Sequence, residues 1–243
     1  MCSKSSQKFF LATPNPEMVL AAQKNPTFKK ILNSTQLSVA DGIGVLWASY
    51  FLSLKKRNLA TLVGSLAAII FAPKKIRSVI PERVTGSDLF PKLLKLAADH
   101  KQKVFLLGAA PGIAVKVKTK FEKKFSDLQI VGTYAGSSRE GEDLEICQKI
   151  NESEAEMLFV AFSFPRQELW ISRNLPKLNT VRFAAGIGGS FDFYAGVIAR
   201  APRIFQKLGL EWLWRLLRQP KRFGRIWNAT VRFVRLIFIQ RGF

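Results

Sequence analysis

Asp41 stands between an apolar run, Leu37-Ser38-Val39, and the glycine turn Gly42-Ile43-Gly44. A carboxylate at that junction is expected at the edge of a sheet, where it can take a proton from a bound hydroxyl. It could equally cap the helix expected over Ile43 to Leu52. A second polar cluster, Thr13-Pro14-Asn15-Pro16-Glu17, follows the run Phe9-Phe10-Leu11-Ala12. Gln167, in Pro165-Arg166-Gln167-Glu168, can both donate and accept hydrogen bonds to a sugar hydroxyl or acetamido group, whereas Glu168 reads as a capping or pairing residue. Arg83, in Glu82-Arg83-Val84-Thr85-Gly86, has the planar fork that binds phosphate bidentately, although an ordinary surface arginine looks the same in sequence.

Two glycine-rich segments complete the set. Gly108-Ala109-Ala110-Pro111-Gly112 follows Val104 to Leu107, and Gly186-Ile187-Gly188-Gly189-Ser190-Phe191-Asp192 follows Val181 to Ala185. Backbone amides at such a helix start can cradle a diphosphate, which nominates Gly108, Ala109, Gly112, Gly186, Gly188 and Gly189 as nucleotide-binding positions, together with Pro111, which has no N–H and serves as part of the turn. Neither segment is a GxGxxG or a Walker A, and glycine in a tight turn also serves geometry alone. There is no Asp-x-Asp pair and His100 is the sole histidine, so neither a metal nor any other cofactor is expected, nor a Ser-His-Asp triad.

These side chains need a scaffold. Short apolar, β-branched runs at Phe9 to Ala12, Val104 to Leu107, Ile130 to Tyr134, Met157 to Phe162 and Val181 to Ala185 are each followed by an amphipathic stretch. That alternation predicts an α/β fold with a mainly parallel sheet of Rossmann-like βα units, whose ligands sit beyond the carboxyl ends of the strands. Asn15-Pro16-Glu17, Gly86-Ser87-Asp88 and Pro111-Gly112 are helix starts.

The 243 residues carry a formal charge of +21, and residues 201 to 243 hold ten Lys or Arg against the single acid Glu211. On a helical wheel Phe223, Ile226, Trp227, Val231, Phe233, Val234, Ile237 and Phe238 share a face, with Arg218, Arg222, Arg225, Arg232 and Arg235 opposite and Gln219-Pro220 as a break. The pattern predicts an α/β catalytic domain over 1–200 and a basic, membrane-docking helical appendage over 201–243. Helices that simply pack on the domain would show a similar pattern. Leu59 to Ala72, bracketed by Lys55-Lys56-Arg57 and Lys74-Lys75, falls short of the roughly 20 residues a span requires and reads as a buried helix or an interfacial hairpin. No export signal is read at the N-terminus, and Cys2 and Cys147 form no disulfide framework, which suits a reducing compartment. The charge would also suit nucleic acid, but no recognition motif accompanies it.

The ordered run TPNPE, DGIG, ERVTGSD, VFLLGAAPG, FPRQE, GIGGSFDFYAG, RAP and LEWLWRLLRQPKRFGR, from about residue 9 to 226, resembles the WecG/TagA/CpsF family of bacterial glycosyltransferases. The resemblance implies an inverting, metal-independent transferase moving N-acetylmannosamine or a related hexose derivative from UDP to a polyprenyl-diphosphate-linked GlcNAc acceptor. Such enzymes build teichoic acid, common antigen or capsule. It makes Asp41 the general base and Thr13, Asn15, Arg83 and Gln167 substrate-binding residues. Arg215, Arg222 and Arg225 match arginines of the family's appendage that reach the acceptor diphosphate. It places the chain in the cytoplasm, peripheral at the inner face of the membrane, with an anionic lipid surface as partner, no nucleic acid, and room for a homo-oligomer. A catalytically degenerate, membrane-associated member is the alternative. Four features depart from the family's pattern: a shorter stretch before the first motif, so that an initial strand or helix is expected to be lacking; Ser163-Phe164 where a glycine is common; Tyr134-Ala135-Gly136-Ser137-Ser138 in place of an aromatic or His-containing version; and a longer, more apolar segment over residues 55 to 80.

Overall fold

The computed structural model describes residues 7–202, 205, 211–218, 220 and 223–240. They divide into two compact units, one comprising Met1–Thr13, Lys30–Ser38 and Gly86–Ala199, the other Pro14–Lys29, Val39–Thr85 and Arg200–Phe243.

The first unit holds a six-stranded, all-parallel sheet: β1 (Phe9–Ala12), β2 (Leu37–Ser38), β3 (Lys103–Gly108), β4 (Gln129–Tyr134), β5 (Met157–Ala161) and β6 (Phe183–Gly186), in the order β2-β1-β6-β5-β3-β4. β5 is buried along its whole length, and β3 from Val104 onward, as expected where helices cover both faces of a parallel sheet. Alternate residues serve opposite faces. Phe105, Leu107, Leu158 and Val160 pack with Ile146, Cys147, Ile150, Trp170 and Ile171. On the other face Phe159 meets Phe90, which also touches Phe121, Phe191 and Tyr194.

The helix carrying Phe90, Gly86–Asp99, contains Pro91, which has no N–H to offer the carbonyl of Ser87 four residues back. Tyr194 replaces that donor, its hydroxyl donating to Ser87 O at 2.6 Å. A helix-breaking residue is thereby accommodated, and the chain after β6 is tied to the start of this helix.

The second unit contains α1 (Pro16–Lys24), α3 (Ile43–Ser53), α4 (Leu59–Phe71) and α5 (Pro73–Ile76); α2 (Pro26–Ser34) runs across the boundary between the units. With the Gly86–Asp99 helix as α6, the first unit adds α7 (Ile113–Lys124), α8 (Asp143–Glu152), α9 (Arg166–Asn174) and α10 (Ser190–Tyr194). Asn15 caps α1 by accepting from Met18 N at 3.0 Å, and Asn58 with Thr61 forms a reciprocal capping box on α4. The core of this unit gathers Leu46, Trp47, Phe51, Ala68 and Ile76 with Phe233 and Ile237 from the C-terminal segment. Trp47 stacks on Phe51 and donates its indole N–H to Ser65 Oγ at 3.0 Å.

The C-terminal segment forms α11 (Glu211–Arg218), α12 (Phe223–Trp227), a π-helical turn (Asn228–Arg232) and α13 (Phe233–Ile239). The π turn breaks the single apolar face expected from the wheel, because its wider winding shifts the register of everything after it. Phe233 and Ile237 are buried and Val234 and Phe238 half-buried in the unit's core, whereas Phe223, Trp227 and Val231 stay exposed. Among the described residues the C-terminal segment contributes its last helix to the core of the second unit. That helix packs with α1 and α3, and apart from Ile239 at its end the segment's exposed large apolar residues lie before and within the π turn. Among the described residues no helix is long and apolar enough to cross a membrane.

Candidate active site

In the first unit β3 leads through α7 outward to β4, while the adjacent β5 leads through α9 the other way to β6. Neighbouring strands whose connections diverge open a crevice at their carboxyl ends, the usual ligand position in such sheets. Gln167, at the start of α9, lies at this end. It is 3% exposed, its Oε1 accepts from Gly188 N at 3.0 Å, and its Nε2 donates to Glu168 Oε1 at 2.7 Å. The closeness of β6 depends on glycine: a Cβ at Gly186 would sit 2.6 Å from Gln167 Nε2. Thr13, beyond β1, is also buried, and its methyl group lies with Ile187 against Gly86 at the start of α6. Thr13, Gln167, Gly186 and Gly188 thus come together from the ends of β1, β5 and β6.

Glu168, which the sequence suggests as a capping or pairing residue, is fully buried; among the described residues it has no cationic partner and its Oε2 no hydrogen bond. Burial pushes its carboxyl up to about 7, with the hydrogen bond from Gln167 working in the opposite direction. Sequence offered one signal for this: a glutamate directly after a glutamine in the first turn of a helix that follows a wholly apolar strand. At the preceding turn Ser163 holds φ at +62°, in the left-handed region that glycine enters without cost.

The loop after β3 is less open than its sequence implies. The amide of Ala109 donates to Ala161 O at 3.1 Å and that of Ile113 to Ala110 O at 3.1 Å, so both are engaged internally. Gly108, at φ +103°, passes so close to Ala161 that a Cβ would meet its backbone at 2.8 Å, and Gly112 adopts φ +82° as the residue before α7. Both glycines meet a geometric need of the backbone. Gly189 occupies the corresponding position before α10.

The second unit brings Asn15, Asp41 and Arg83 together through its backbone. Asp41 N donates to Pro14 O at 2.9 Å, beside Asn15, and Val84 N donates to Ala40 O at 3.0 Å, beside Arg83. The residue before α3 is Gly42, at φ +109°, so Asp41 stands one residue outside the N-cap position of that helix. Asn15 does cap α1 through its oxygen, which leaves contact with a ligand to its amide nitrogen. Arg83 is half-buried. Arg215 falls within α11 and Arg225 within α12, but their side chains, and Arg222 entirely, lie outside the described residues. Among the described residues no cluster of three or more His, Cys, Asp or Glu side chains is arranged to hold a metal ion.

The sequence profile of the glycosyl transferase WecG/TagA/CpsF family matches residues 1–68 and 54–243. A Bacillus spizizenii protein named N-acetylglucosaminyldiphosphoundecaprenol N-acetyl-beta-D-mannosaminyltransferase is 32% identical over 217 residues, covering 89% of this chain and 74% of that protein. Proteins of the same name from Staphylococcus aureus strains MRSA252 and COL are each 28% identical over 239 residues, covering 98% of this chain and 84% of theirs.

Proposed function

From the premise that this chain belongs to the glycosyl transferase WecG/TagA/CpsF family, we propose that it transfers N-acetylmannosamine, or a related hexose derivative, from UDP to GlcNAc carried on a polyprenyl diphosphate. Transfer proceeds by a single displacement with inversion and without a metal, as a step in teichoic acid, common antigen or capsule synthesis. Asp41 accepts the proton of the attacking GlcNAc hydroxyl as its oxygen bonds to the anomeric carbon and the bond from that carbon to UDP breaks. An aspartate is ionised at neutral pH and suits this role.

The observation that carries the assignment is the backbone pairing that brings Asn15, Asp41 and Arg83 together. Arg83, with Arg215, Arg222 and Arg225, balances the diphosphate charge that grows on the leaving group. Thr13 and Gln167 hold sugar hydroxyl or acetamido groups, and the glycine-rich strand ends accept the nucleotide. The enzyme works from the cytoplasmic side as a peripheral protein, held to anionic lipid by the basic C-terminal segment.

UDP release from UDP-N-acetylmannosamine with a lipid-diphosphate GlcNAc acceptor is the direct test. Asp41→Asn should lower turnover by about 10²- to 10⁴-fold, the usual worth of a general base, while donor binding persists. Retained turnover would remove Asp41 from the mechanism. Vesicle binding by wild type without any UDP release would favour a non-catalytic member of the family.

A further inference from the structure

The solvent face of α4 is built entirely of apolar residues. Leu59, Ala60, Val63, Gly64, Ala67, Ile70 and Phe71 are all exposed, Leu59 at 67%, Val63 at 60%, Ile70 at 69% and Phe71 at 84%. At 100° per residue they form two adjacent rows on one side of the helix. The opposite side is the one that packs: Ser65 and Ala68 are buried, Ser65 Oγ receives the Trp47 indole N–H, and Leu62, Leu66 and Ile69 lie against the same core. The exposed face is therefore not the misplaced inner face of a loosely seated helix. α4 has an inner partner and leaves a second apolar face uncovered.

Charge indicates what covers it. Between Asp41 and Glu82 the chain has no acidic residue and six basic ones, Lys55, Lys56 and Arg57 before α4 and Lys74, Lys75 and Arg77 after it. All but Arg57, which is half-buried, are exposed. Thirteen residues at 1.5 Å each give a helix of about 20 Å, too short for a hydrocarbon core of about 30 Å, so it can lie in the interface but not cross. A charge-free apolar face with cations at both ends is what an interfacial helix presents to an anionic leaflet, the apolar side in the acyl boundary and the cations among the headgroups.

We propose that α4 docks in the surface of an anionic bilayer, as a lipid-binding element separate from the C-terminal segment. The inference stands on the faces and flanks of α4 and goes beyond the transferase reading.

The test uses the full chain with Ala67→Cys in a Cys2→Ser background, labelled with the environment-sensitive fluorophore NBD; Cys147 is buried, and the Cys2→Ser chain alone controls for background labelling. With phosphatidylcholine–phosphatidylglycerol vesicles the emission should shift to the blue and be quenched by doxyl-labelled lipid. With phosphatidylcholine alone it should not, and added salt should reverse the shift. Each basic residue near the surface multiplies partitioning by about fivefold, so Lys74→Gln with Lys75→Gln should lower vesicle affinity by about 25-fold. Ile70→Ser with Phe71→Ser should also release the protein from vesicles, at unchanged turnover of a short-chain, water-soluble acceptor.

Cosedimentation with vesicles while the probe keeps its aqueous emission would overturn the proposal, showing that another segment docks alone. So would a lipid-independent blue shift that grows with protein concentration, the mark of a second copy on this face. A probe that enters the bilayer in a chain releasing no UDP would leave the docking element standing and count against the transferase reading instead.

Discussion

Glu168 accepts a hydrogen bond from the side-chain amide of its own neighbour, Gln167, at 2.7 Å, and its second carboxyl oxygen is buried without a partner. The pair orients the Gln167 amide. With Nε2 donating to Glu168 and Oε1 accepting from Gly188 N, the oxygen and nitrogen ends of the amide have distinct places at the ends of β5 and β6. A ligand meeting Gln167 therefore meets a fixed donor and a fixed acceptor.

Burial sets the pH dependence of this arrangement. The Glu168 carboxyl rises from an ordinary 4.5 to about 7 in the fold, so between those values the folded chain holds a proton that the unfolded chain has released. Stability from this group is fully present below about pH 4.5, declines as pH rises toward 7, and is gone above it, an effect on the order of 3 kcal/mol. Asp143 acts at the other end of the scale. Burial opposes its ionisation, but hydrogen bonds led by the one from Arg173 outweigh it and hold the carboxyl below its usual range, so its contribution is lost only in stronger acid. Urea unfolding between pH 5 and 8 isolates Glu168. Wild type should lose stability across that interval, and Glu168→Gln, which keeps an oxygen for Gln167, should flatten the profile and be the more stable protein at pH 8. A wild-type profile level across the interval would show that Glu168 is ionised in the fold.

Gly186→Ala should damage the site more than its size suggests. The new methyl group would sit 2.6 Å from Gln167 Nε2 and 2.9 Å from its Cδ, and Gln167 is buried and hydrogen-bonded at both ends, so it cannot swing aside freely. Overpacking of this kind costs about 1–3 kcal/mol. A matching loss in donor affinity by calorimetry would identify Gln167 as a donor contact. Gly141→Ala, with nothing within 4 Å of the added carbon, is the control and should be silent in both measurements.

The sheet was legible because each strand of the first unit is a short apolar run closed by glycine or a polar turn; the bounds expected at Phe9 to Ala12 are those observed. The polar residues at strand ends followed from the same reading. Three things did not. Glu168 carries its chemistry through burial, which an isolated Gln-Glu pair does not display. Pro91 within α6 depends on Tyr194, more than a hundred residues away, and no local pattern links them. The π turn at Asn228–Arg232 rotates the last helix, so a wheel drawn at a constant 100° places Phe233 beside Phe223 when one is buried and the other exposed.

That rotation has a measurable consequence. Phe233 is 1% exposed and meets the Trp47 ring edge at 6.4 Å between centroids, so Phe233→Ala should destabilise the protein by about 3–5 kcal/mol. Phe223→Ala, at a position 59% exposed, should change stability by less than about 0.5 kcal/mol. Equal, small effects from both substitutions in thermal unfolding would mean that α13 does not belong to the core.

The basic residues of the C-terminal segment remain to be separated into those that hold lipid and those that serve the reaction. Arg218 lies with its guanidinium 4.9 Å from the centre of the Trp214 ring, a contact that orders α11 without using a carboxylate. Arg215, on the same helix, together with Arg222 and Arg225, has almost no acid nearby in sequence to neutralise it, Glu211 being the lone one after residue 200. Near an anionic surface each contributes about 1 kcal/mol, so changing all three to Glu reverses three charges, a net change of six, and should weaken binding to phosphatidylglycerol vesicles by more than about 100-fold. Activity divides the roles. If the three arginines only anchor, a short-chain, water-soluble acceptor should be turned over by the triple variant at the wild-type rate. If they also meet the acceptor's diphosphate, turnover of that soluble substrate should fall as well, because a lost charge-assisted contact to phosphate does not depend on lipid. The second outcome is the one expected from their place in the proposed mechanism, and an unchanged vesicle affinity of the triple variant would sink the anchoring role of these arginines, whatever α4 contributes.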